Sequence, residues 1–321
     1  MEKIKILSII GPTATGKTNL AINLAKQFDG EIISGDSIQI YKEFDILSAK
    51  PTKKELSEVK HHLVDFLSVK ETYSVAKFKE MASDCIINIK SRNKLPILVG
   101  GTGLYIDSLI KNIDFSAPSP GEVKNISLPG SGEELMEMLK KVDPESAKNI
   151  HVNNIKRLKR ALEFYYTVGY PISKQVSDSK KIESPYEVCK IGLNFRNREI
   201  LYSKINKRVD EMAKNGLLEE VKKVYTQNEV SKTAQAAIGY KEMVDYLEGR
   251  ETLENAYENV KKFSRRYAKR QITWFKRDEN INWIYIDDYN DFSQVVKKAK
   301  EITEKFIQWV IKNENKKIKK K

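Results

Sequence analysis

Eight consecutive residues near the start of the chain have a pattern that binds phosphate. They are Gly11, Pro12, Thr13, Ala14, Thr15, Gly16, Lys17 and Thr18, and they fit G-x-x-x-x-G-K-[ST]. In such a loop successive backbone N–H groups turn toward phosphate oxygens, the lysine adds a positive charge, and the last hydroxyl can hold Mg²⁺. The pattern predicts binding of a di- or triphosphate, and it leaves open whether that phosphate is a donor or a leaving group.

The turn after a later apolar strand differs from that of an ordinary nucleoside triphosphatase. Such an enzyme usually has an apolar strand that ends in a carboxylate, which positions Mg²⁺. Here the apolar run at 95–99 is followed by Gly100, Gly101, Thr102 and Gly103. These residues offer backbone and one hydroxyl instead of a charge. Glycines permit close approach of a ligand, although a simple tight turn would use the same residues.

A carboxylate, Asp36, follows the second apolar strand. Ligands of open parallel sheets bind at the carboxyl ends of the strands, so we expect Asp36 near the phosphate loop. An acidic group there would repel phosphate unless it has another task. The residue type fits a general base for a nucleophile first, Mg²⁺ ligation second, and capping of a following helix third.

The elements that must position these residues are predicted from apolar spacing. Continuous apolar runs predict strands at 4–10, 31–34 and 95–99, and a period near 3.6 predicts helices at 19–28 and 75–90. Alternating strands and helices with fully apolar strands predict an α/β fold, a parallel sheet with helices on both faces like that of the P-loop NTPases.

The second half of the chain is predicted to be mainly helical. Helices are expected at 133–141 and 153–166, a polar, turn-rich stretch at 173–185, and a returning strand at 187–193. A long helical region at 198–275 is interrupted at Gly216, Gly239 and Gly249, and a last strand follows at 283–286. We therefore expect a catalytic core at 1–115 and 188–300, a helical insertion at 116–187, and a C-terminal helix with a basic, frayed tail at 301–321.

Charge and composition limit the class of partner. The 321 residues include 57 Lys and Arg against 44 Asp and Glu, a formal net charge of +13. This surplus indicates a polyanionic partner, nucleic acid before membrane, although charge that only confers solubility would look the same. The two cysteines, Cys85 and Cys189, have no zinc-site spacing, and His61 and His62 are interpreted as structural. No apolar stretch approaches the ~20 residues of a membrane span, so we expect a cytoplasmic protein without a membrane partner.

Taken together, these residues resemble the tRNA dimethylallyltransferases, also called tRNA isopentenyltransferases. Seven blocks in the same order carry the resemblance, at residues 11–18, 36–41 with 49–51, 61–65, 100–105, 157–163, 238–242 and 267–275. The resemblance covers almost the whole chain. It implies that the dimethylallyl group of dimethylallyl diphosphate is transferred to N6 of an adenosine next to the tRNA anticodon, and that diphosphate leaves. The phosphate loop would then hold a leaving group, in agreement with the missing carboxylate after residue 99.

The resemblance also implies roles for individual residues. The loop and Arg208 would bind the diphosphate, with Mg²⁺ as cofactor held at Thr18. Thr102 would lie near the leaving oxygen, and Asp36 would both orient the extruded adenine and accept a proton from its weakly nucleophilic amine. The implied tRNA contacts are Asp36, Ser37, Ile38, Gln39, Thr102, Lys124, Lys156, Arg157, Leu158, Lys159, Arg160, Gly239, Tyr240, Lys241, Lys269, Arg270, Gln271, Thr273 and Trp274. The partner is expected to be the tRNA anticodon stem-loop, bound by a monomer.

Several alternatives remain open on the residues alone. Lys156, Arg157 and Arg160 share one face of a predicted helix, and a solvated face would have the same pattern. Trp274 and Phe275 could stack on unpaired bases or belong to the core. An adenylate dimethylallyltransferase would keep the loop and Asp36, a small-molecule kinase would turn over ATP, and an RNA-binding module would have a decayed loop.

Overall fold

The computed structural model describes residues 3–113, 126–227 and 229–318. Within them a six-stranded, all-parallel sheet has the strand order β3-β2-β4-β1-β5-β6. The strands are β1 (Ile4–Ile10), β2 (Gly30–Ser34), β3 (His61–His62), β4 (Leu95–Gly100), β5 (Tyr186–Asn194) and β6 (Ile281–Tyr285). The predicted P-loop-like α/β fold is confirmed.

Helices alternate with the strands along the chain, and most of them follow β4 in sequence. They are α1 (Lys17–Gln27), α2 (Lys53–Glu58), α3 (Val75–Ser91), α4 (Gly103–Ile110), α5 (Gly132–Val142), α6 (Pro144–Asn149), α7 (Ile155–Val168), α8 (Ile172–Lys181), α9 (Arg198–Lys214), α10 (Leu217–Tyr225), α11 (Lys232–Gln235), α12 (Tyr240–Leu247), α13 (Leu253–Phe275) and α14 (Phe292–Ile318). None of the helices in the described part of the chain is both long enough and apolar enough to cross a membrane.

The core of the sheet explains why the apolar strands pair in this way. Leu7 and Ile9 of β1 have no exposed surface, and they pack with apolar residues of α1 and α14, among them Leu20 and Val295. Alternate residues of a strand face opposite sides, so the neighbouring Ile6, which is also fully buried, faces the other side of the sheet. A strand buried on both faces reads as a continuous apolar run, which is the pattern that predicted it.

The parallel direction of the strands gathers the chemically interesting residues at one edge. The phosphate loop follows β1, Asp36 follows β2 after one residue, and Gly101 and Thr102 follow β4. Because β1 and β2 both pair with β4 in parallel, the three carboxyl ends lie side by side. This is the edge at which open parallel sheets bind ligands.

Contacts divide the chain into two compact units, Met1–Ile106 with Tyr186–Lys321, and Asp107–Pro185. The second unit has its own small core, in which Leu135 and Leu139 of α5 pack against Leu158 and Leu162 of α7. The expected turn-rich stretch at 173–185 is instead largely helical, since α8 covers Ile172–Lys181. Its buried side includes polar Gln175 and Ser179, so the apolar period that marks a helix is absent from the sequence.

The long helical region ends and restarts where glycines were expected to interrupt it. Gly216 and Gly239 precede α10 and α12 with φ of 94° and 105°, and Gly249 follows α12 with φ of 72°. Glycine adopts this backbone conformation at little steric cost. The final helix α14 begins at Phe292, earlier than predicted, and extends to Ile318. Residues 114–125, which include Lys124 and the start of the expected helical insertion, and the last three residues lie outside the described residues.

Candidate active site

The phosphate loop is wrapped tightly between β1 and α1. Ala14 and Gly16 have positive φ of 64° and 78°, and Gly16 is the residue from which α1 begins. The Lys17 ammonium donates a hydrogen bond to the Pro12 carbonyl at 2.7 Å, and the Thr15 hydroxyl donates to the same oxygen at 2.9 Å. No side chain of the described residues caps the N-terminus of α1, so its first N–H groups and the positive end of its dipole are available to an anion.

Both glycines of the loop are required by close neighbours. A Cβ on Gly11 would lie 2.3 Å from the backbone oxygen of Leu193, and one on Gly16 would lie 2.9 Å from the ring of Phe292. Larger residues would push the loop away from β5 or from the start of α14. Steric contacts in this fold therefore explain why the pattern has glycine at both positions.

A cavity of about 550 Å³ opens over the loop. Polar residues from four places line it: the loop itself, the segment after β2, helix α9 and helix α13. Among the predicted site residues it brings together Thr13, Ala14, Thr15, Gly16, Lys17, Thr18, Asp36, Ser37, Ile38, Gln39, Arg208, Arg270 and Gln271. Another part of the wall is apolar, with Leu47, Ile205, Val209, Met212 and Ile238. The cavity can therefore hold a ligand with a charged end and an apolar end.

Three charged groups interact electrostatically in this cavity. The pKa of Lys17 is lowered to about 7, first by burial and then by the positive charge of Arg208, against the opposing effect of Asp36. Burial also lowers the pKa of Arg208, which Asp36 partly offsets. Arg208 is thus an inward-facing residue of α9 and not a solvated surface arginine. Two partly desolvated cations favour an anion in the cavity.

Asp36 combines a structural contact with a free oxygen. Its Oδ1 accepts the backbone N–H of Ile38 at 2.8 Å and that of Gln39 at 3.3 Å, which caps the turn after β2. The described residues provide no hydrogen-bond donor to Oδ2. Capping, one of the alternatives from the sequence, therefore occupies one oxygen and leaves the other able to accept a proton.

Thr102 lies beside the cavity under helix α13. Its hydroxyl is buried and has no hydrogen bond of normal geometry within the described residues, although it interacts with the Tyr267 hydroxyl. Burial, followed by the negative charge of Asp36, raises the pKa of Tyr267. Tyr267 therefore stays neutral near neutral pH and is a possible hydrogen-bond donor next to Thr102.

Helix α13 presents the remaining predicted residues on two different sides. Lys269, Arg270 and Thr273 are exposed, and the Arg270 guanidinium lies 5.5 Å from the centre of the Tyr267 ring. Gln271 is only 5% exposed, with its side-chain amide directed to Thr13 and Gly101.

Two aromatic residues that could have stacked on bases have different surroundings. Trp274 is half-buried against Gly103, and Phe275 is buried in the core. Trp274 also has the Arg277 guanidinium over its ring, 5.8 Å from the ring centre. Of these two aromatic residues, Trp274 is therefore the one that keeps an open surface.

The block at 238–242 is partly internal. The Gly239 N–H donates to the Glu242 carboxylate at 2.7 Å, which fixes the start of α12. Tyr240 is 6% exposed and its ring lies 5.8 Å from that of Phe44, whereas Lys241 is exposed. Among these three predicted contacts, only Lys241 offers an open side chain.

The basic residues of the second unit lie on α7, which the Asn154 side chain caps. Lys156 and Arg157 are exposed, and Lys159 and Arg160 are half-buried. Leu158, another predicted contact, has a side chain that is fully buried with Leu162 in the core of this unit. The helix is amphipathic, so the cations and the leucine face opposite ways.

Sequence reasoning missed one residue that shapes the cavity. The Glu220 carboxylate on α10 accepts the backbone N–H groups of Asp45, Ile46 and Leu47, each at 2.8 Å. These bonds hold the loop that contributes Leu47 to the apolar wall. No local pattern could reveal this, because the partners are more than 170 positions apart in sequence.

The two neighbouring histidines lie away from this cavity wall. The His62 ring and the Arg92 guanidinium both contact the Glu31 carboxylate at the edge of the sheet. Across the described residues no group of three or more His, Cys, Asp or Glu side chains could hold a metal ion. A divalent cation at this site would thus need oxygens from its own ligand in addition to Thr18.

Comparisons with known proteins agree with this geometry. A family model described as IPP transferase matches residues 39–278. A tRNA dimethylallyltransferase of Thermoanaerobacter sp. (strain X514) is 47% identical over 302 residues, which are 92% of this chain and 96% of that protein. A tRNA dimethylallyltransferase of Bacillus cereus (strain ATCC 14579) is 44% identical over 303 residues, 92% of this chain and 95% of the relative.

Two solved structures have the same fold. The full-length tRNA isopentenylpyrophosphate transferase of Bacillus halodurans aligns with a TM-score of 0.75 at 39% identity, covering 98% of this chain and 100% of that one. A eukaryotic dimethylallyltransferase captured acting on tRNA aligns with a TM-score of 0.80 at 28% identity, covering 95% and 79%. This chain is similar to these proteins in sequence and fold along nearly its whole length. It belongs to the IPP transferase family, as do relatives that are tRNA dimethylallyltransferases.

Proposed function

We propose that this protein transfers the dimethylallyl group of dimethylallyl diphosphate to N6 of an adenosine adjacent to the anticodon of tRNA and releases diphosphate. The observation that carries the proposal is one cavity with a phosphate loop, two half-buried cations and a carboxylate, next to an apolar wall. The charged part fits a diphosphate, and the apolar part fits a short hydrocarbon chain.

The leaving group is stabilised by groups that need little rearrangement. An allylic diphosphate ionises readily when the negative charge that develops on the departing oxygen is stabilised. Lys17, Arg208 and the uncapped N-terminus of α1 supply positive potential at the loop. Thr102, with its buried hydroxyl, is proposed to donate a hydrogen bond near that oxygen.

Mg²⁺ is the proposed cofactor, and the residues present fit it. Mg²⁺ commonly keeps several waters and is held by one or two protein oxygens together with phosphate oxygens. The Thr18 hydroxyl, which lines the cavity, is the protein oxygen at the expected position. When bound, the ion would neutralise part of the diphosphate charge.

The nucleophile needs help because the lone pair of an exocyclic adenine amine is delocalised into the ring. We assign proton acceptance to Oδ2 of Asp36, whose Oδ1 is fixed by two backbone N–H groups. The adenine must leave the anticodon stack to reach the cavity, and Ser37, Ile38 and Gln39 line its path. The proton passes from the amine to the carboxylate as the new N–C bond forms.

The tRNA backbone is proposed to meet exposed cations in both compact units. These are Lys241, Lys269 and Arg270 in the first unit, and Lys156 and Arg157 in the second. Lysine and arginine neutralise phosphates without reading sequence. A net charge of +13 supports a polyanionic partner.

The decisive assay offers labelled dimethylallyl diphosphate and Mg²⁺ with tRNA, with AMP, or with no acceptor. We expect label only in tRNA, and mass spectrometry of the digested product should locate the added mass on an adenosine of the anticodon loop. Equal transfer to AMP would instead indicate an adenylate dimethylallyltransferase. Turnover of ATP with a small acceptor, and no prenyl transfer, would indicate a kinase.

A further inference from the structure

One buried side chain connects the two backbone segments that form the diphosphate end of the cavity. Gln271 projects from α13, and its Oε1 accepts the backbone N–H of Thr13 in the phosphate loop at 3.0 Å. Its Nε2 donates to the Gly101 carbonyl, after β4, also at 3.0 Å. The oxygen and the nitrogen of one side-chain amide therefore each form a hydrogen bond, the oxygen with the segment after β1 and the nitrogen with the segment after β4.

The packing around this amide is specific. A Cβ on Gly101 would lie 2.1 Å from Nε2 of Gln271, so the glycine at this position is what admits the amide. Thr102 is the next residue, and Tyr267, one turn earlier on the helix, interacts with its hydroxyl. Gln271 is 5% exposed, while Lys269, Arg270 and Thr273 on the same helix are open to solvent.

We propose that Gln271 is a positioning residue for the leaving group and not a contact of the tRNA. It fixes the spacing between the phosphate loop at Thr13 and the turn that carries Thr102. The two donors proposed to stabilise the departing diphosphate, the loop and the Thr102 hydroxyl, are thereby kept at a fixed separation. This inference rests on the proposed function, because it concerns the same reaction.

A physical consequence distinguishes this role from simple binding. Without the amide, the Thr13 N–H and the Gly101 carbonyl lose their partners, and the two segments are free to separate. Displacement of a stabilising group by about 1 Å can lower a rate by roughly 100-fold, while ground-state contacts adapt more easily. Loss of Gln271 should therefore affect the chemical step more than diphosphate binding, and tRNA binding least.

The test compares the wild type with Gln271→Met, which keeps the length of the side chain but removes its polar contacts with Thr13, Gly101 and the Tyr267 hydroxyl. The matched control is Gln294→Met, since the exposed Gln294 side chain on α14 also accepts one backbone N–H, from Asn290. Three quantities are measured: the single-turnover rate at saturating tRNA, the Kd of inorganic diphosphate with Mg²⁺, and the Kd of tRNA without the prenyl donor. Thermal unfolding establishes that each variant is folded.

For Gln271→Met we expect the single-turnover rate to fall roughly 10- to 100-fold. The Kd of diphosphate should rise about three- to tenfold from the loss of hydrogen bonds that order the loop, and the Kd of tRNA should stay within about twofold of the wild type, as expected for a residue without a phosphate or base contact. Gln294→Met should leave all three unchanged.

A second variant keeps the inference testable if Gln271→Met fails to fold. Gly101→Ala needs no unusual backbone angle, yet its Cβ would displace the Gln271 amide, so it should give the same pattern of effects. A weaker tRNA affinity with normal diphosphate binding would mean that Gln271 contacts RNA, and unchanged rates in both variants would mean that the bridge is dispensable. If the wild type transfers no prenyl group, the proposed function fails, whereas the diphosphate measurement still tests the bridge.

Discussion

The lowered pKa of Lys17 predicts that diphosphate binding is coupled to proton uptake. In the free protein this pKa is about 7, mainly because the ammonium is buried and secondly because Arg208 is close. An anionic ligand beside the ammonium favours its charged form and raises the pKa. Binding at a pH above 7 must therefore bring a proton to Lys17, and affinity must fall as the pH rises.

The magnitude follows from the titration of one group. With a pKa of about 7 in the free protein, Lys17 is about 10% protonated at pH 8 and about 90% protonated at pH 6. On binding of dimethylallyl diphosphate, Lys17 should take up about 0.9 proton at pH 8 and about 0.1 at pH 6, provided that its bound pKa lies well above 8. The apparent Kd should rise about tenfold for each unit of pH above 7 until the bound pKa is reached.

Isothermal titration calorimetry in buffers of different ionisation enthalpy counts these protons directly. The ligand's own phosphate oxygens titrate near pH 6, so they contribute little at pH 8. Lys17→Arg is the matched control, since it keeps a positive charge that does not titrate in this range. Arg208→Gln should reduce the uptake at pH 8, because removal of the neighbouring charge raises the pKa of Lys17.

Two results would contradict this reasoning. Equal proton uptake in the wild type and in Lys17→Arg at pH 8 would mean that another group or the ligand takes the proton. A pH-independent Kd between pH 6 and 9 in the wild type would mean that Lys17 is already charged in the free protein. Either result would refute the inferred electrostatic coupling between Lys17, Arg208 and the bound diphosphate.

Four further outcomes are expected from the same structure. Asp36→Ala should lower the single-turnover rate by roughly 10²–10⁴ as a lost general base, and a near-normal rate would exclude that role. Neutralising Lys156 and Arg157 together should reduce the log–log salt slope of tRNA binding by about 0.7–0.9 for each lost phosphate contact, without altering diphosphate affinity. The hydrogen bond from Arg92 lowers the pKa of Glu31 to about 2, so the ionised carboxylate stabilises the fold above pH 4.5 and stabilises it less as the pH falls toward 2. Glu31→Gln should therefore lower the free energy of unfolding by about 1–3 kcal/mol at pH 7 and by less at pH 3, as measured by urea titration. Glu220→Ala should speed hydrogen exchange of the amides at 45–47, whose three bonds it removes; unchanged protection would show that other contacts hold the loop.

The sheet could be predicted from sequence because its signal is local. A strand buried on both faces, such as β1, is a continuous apolar run, and parallel pairing follows from the helices between strands. Helix α8 was not recognised because polar Gln175 and Ser179 occupy its buried side. The two-residue strand β3 was missed for a different reason, since a strand of this length has no detectable period.

The candidate site was predictable where residue type and position in the sequence together place a residue at the ligand-binding edge of the sheet. The phosphate loop and Asp36 are recognised by type and by position after a strand. The burial of Leu158 and the orientation of Gln271 depend on which side of a helix meets the rest of the fold. Contacts such as that of Glu220 with the loop at 45–47 join distant parts of the chain, so no spacing in the sequence encodes them.

The glycines after β4 and the two sides of α13 have a common physical explanation. A Cβ on Gly101 or Gly103 would lie 2.1 Å from Gln271 or 2.3 Å from Trp274, so side chains there would force the helix away. With glycines, the helix lies close enough for Tyr267, Gln271 and Trp274, spaced four and three residues apart, to contact the loop or the turn. Lys269 is exposed to solvent, and Arg270 is exposed and also lines the cavity. A carboxylate after β4 would take up the same space and add a negative charge near a diphosphate. The close approach therefore puts a helix where an ordinary nucleoside triphosphatase has its metal-positioning acid, and we propose that this helix serves both substrates. Substitutions on its inner side should change the rate of transfer, and those on its outer side the affinity for tRNA.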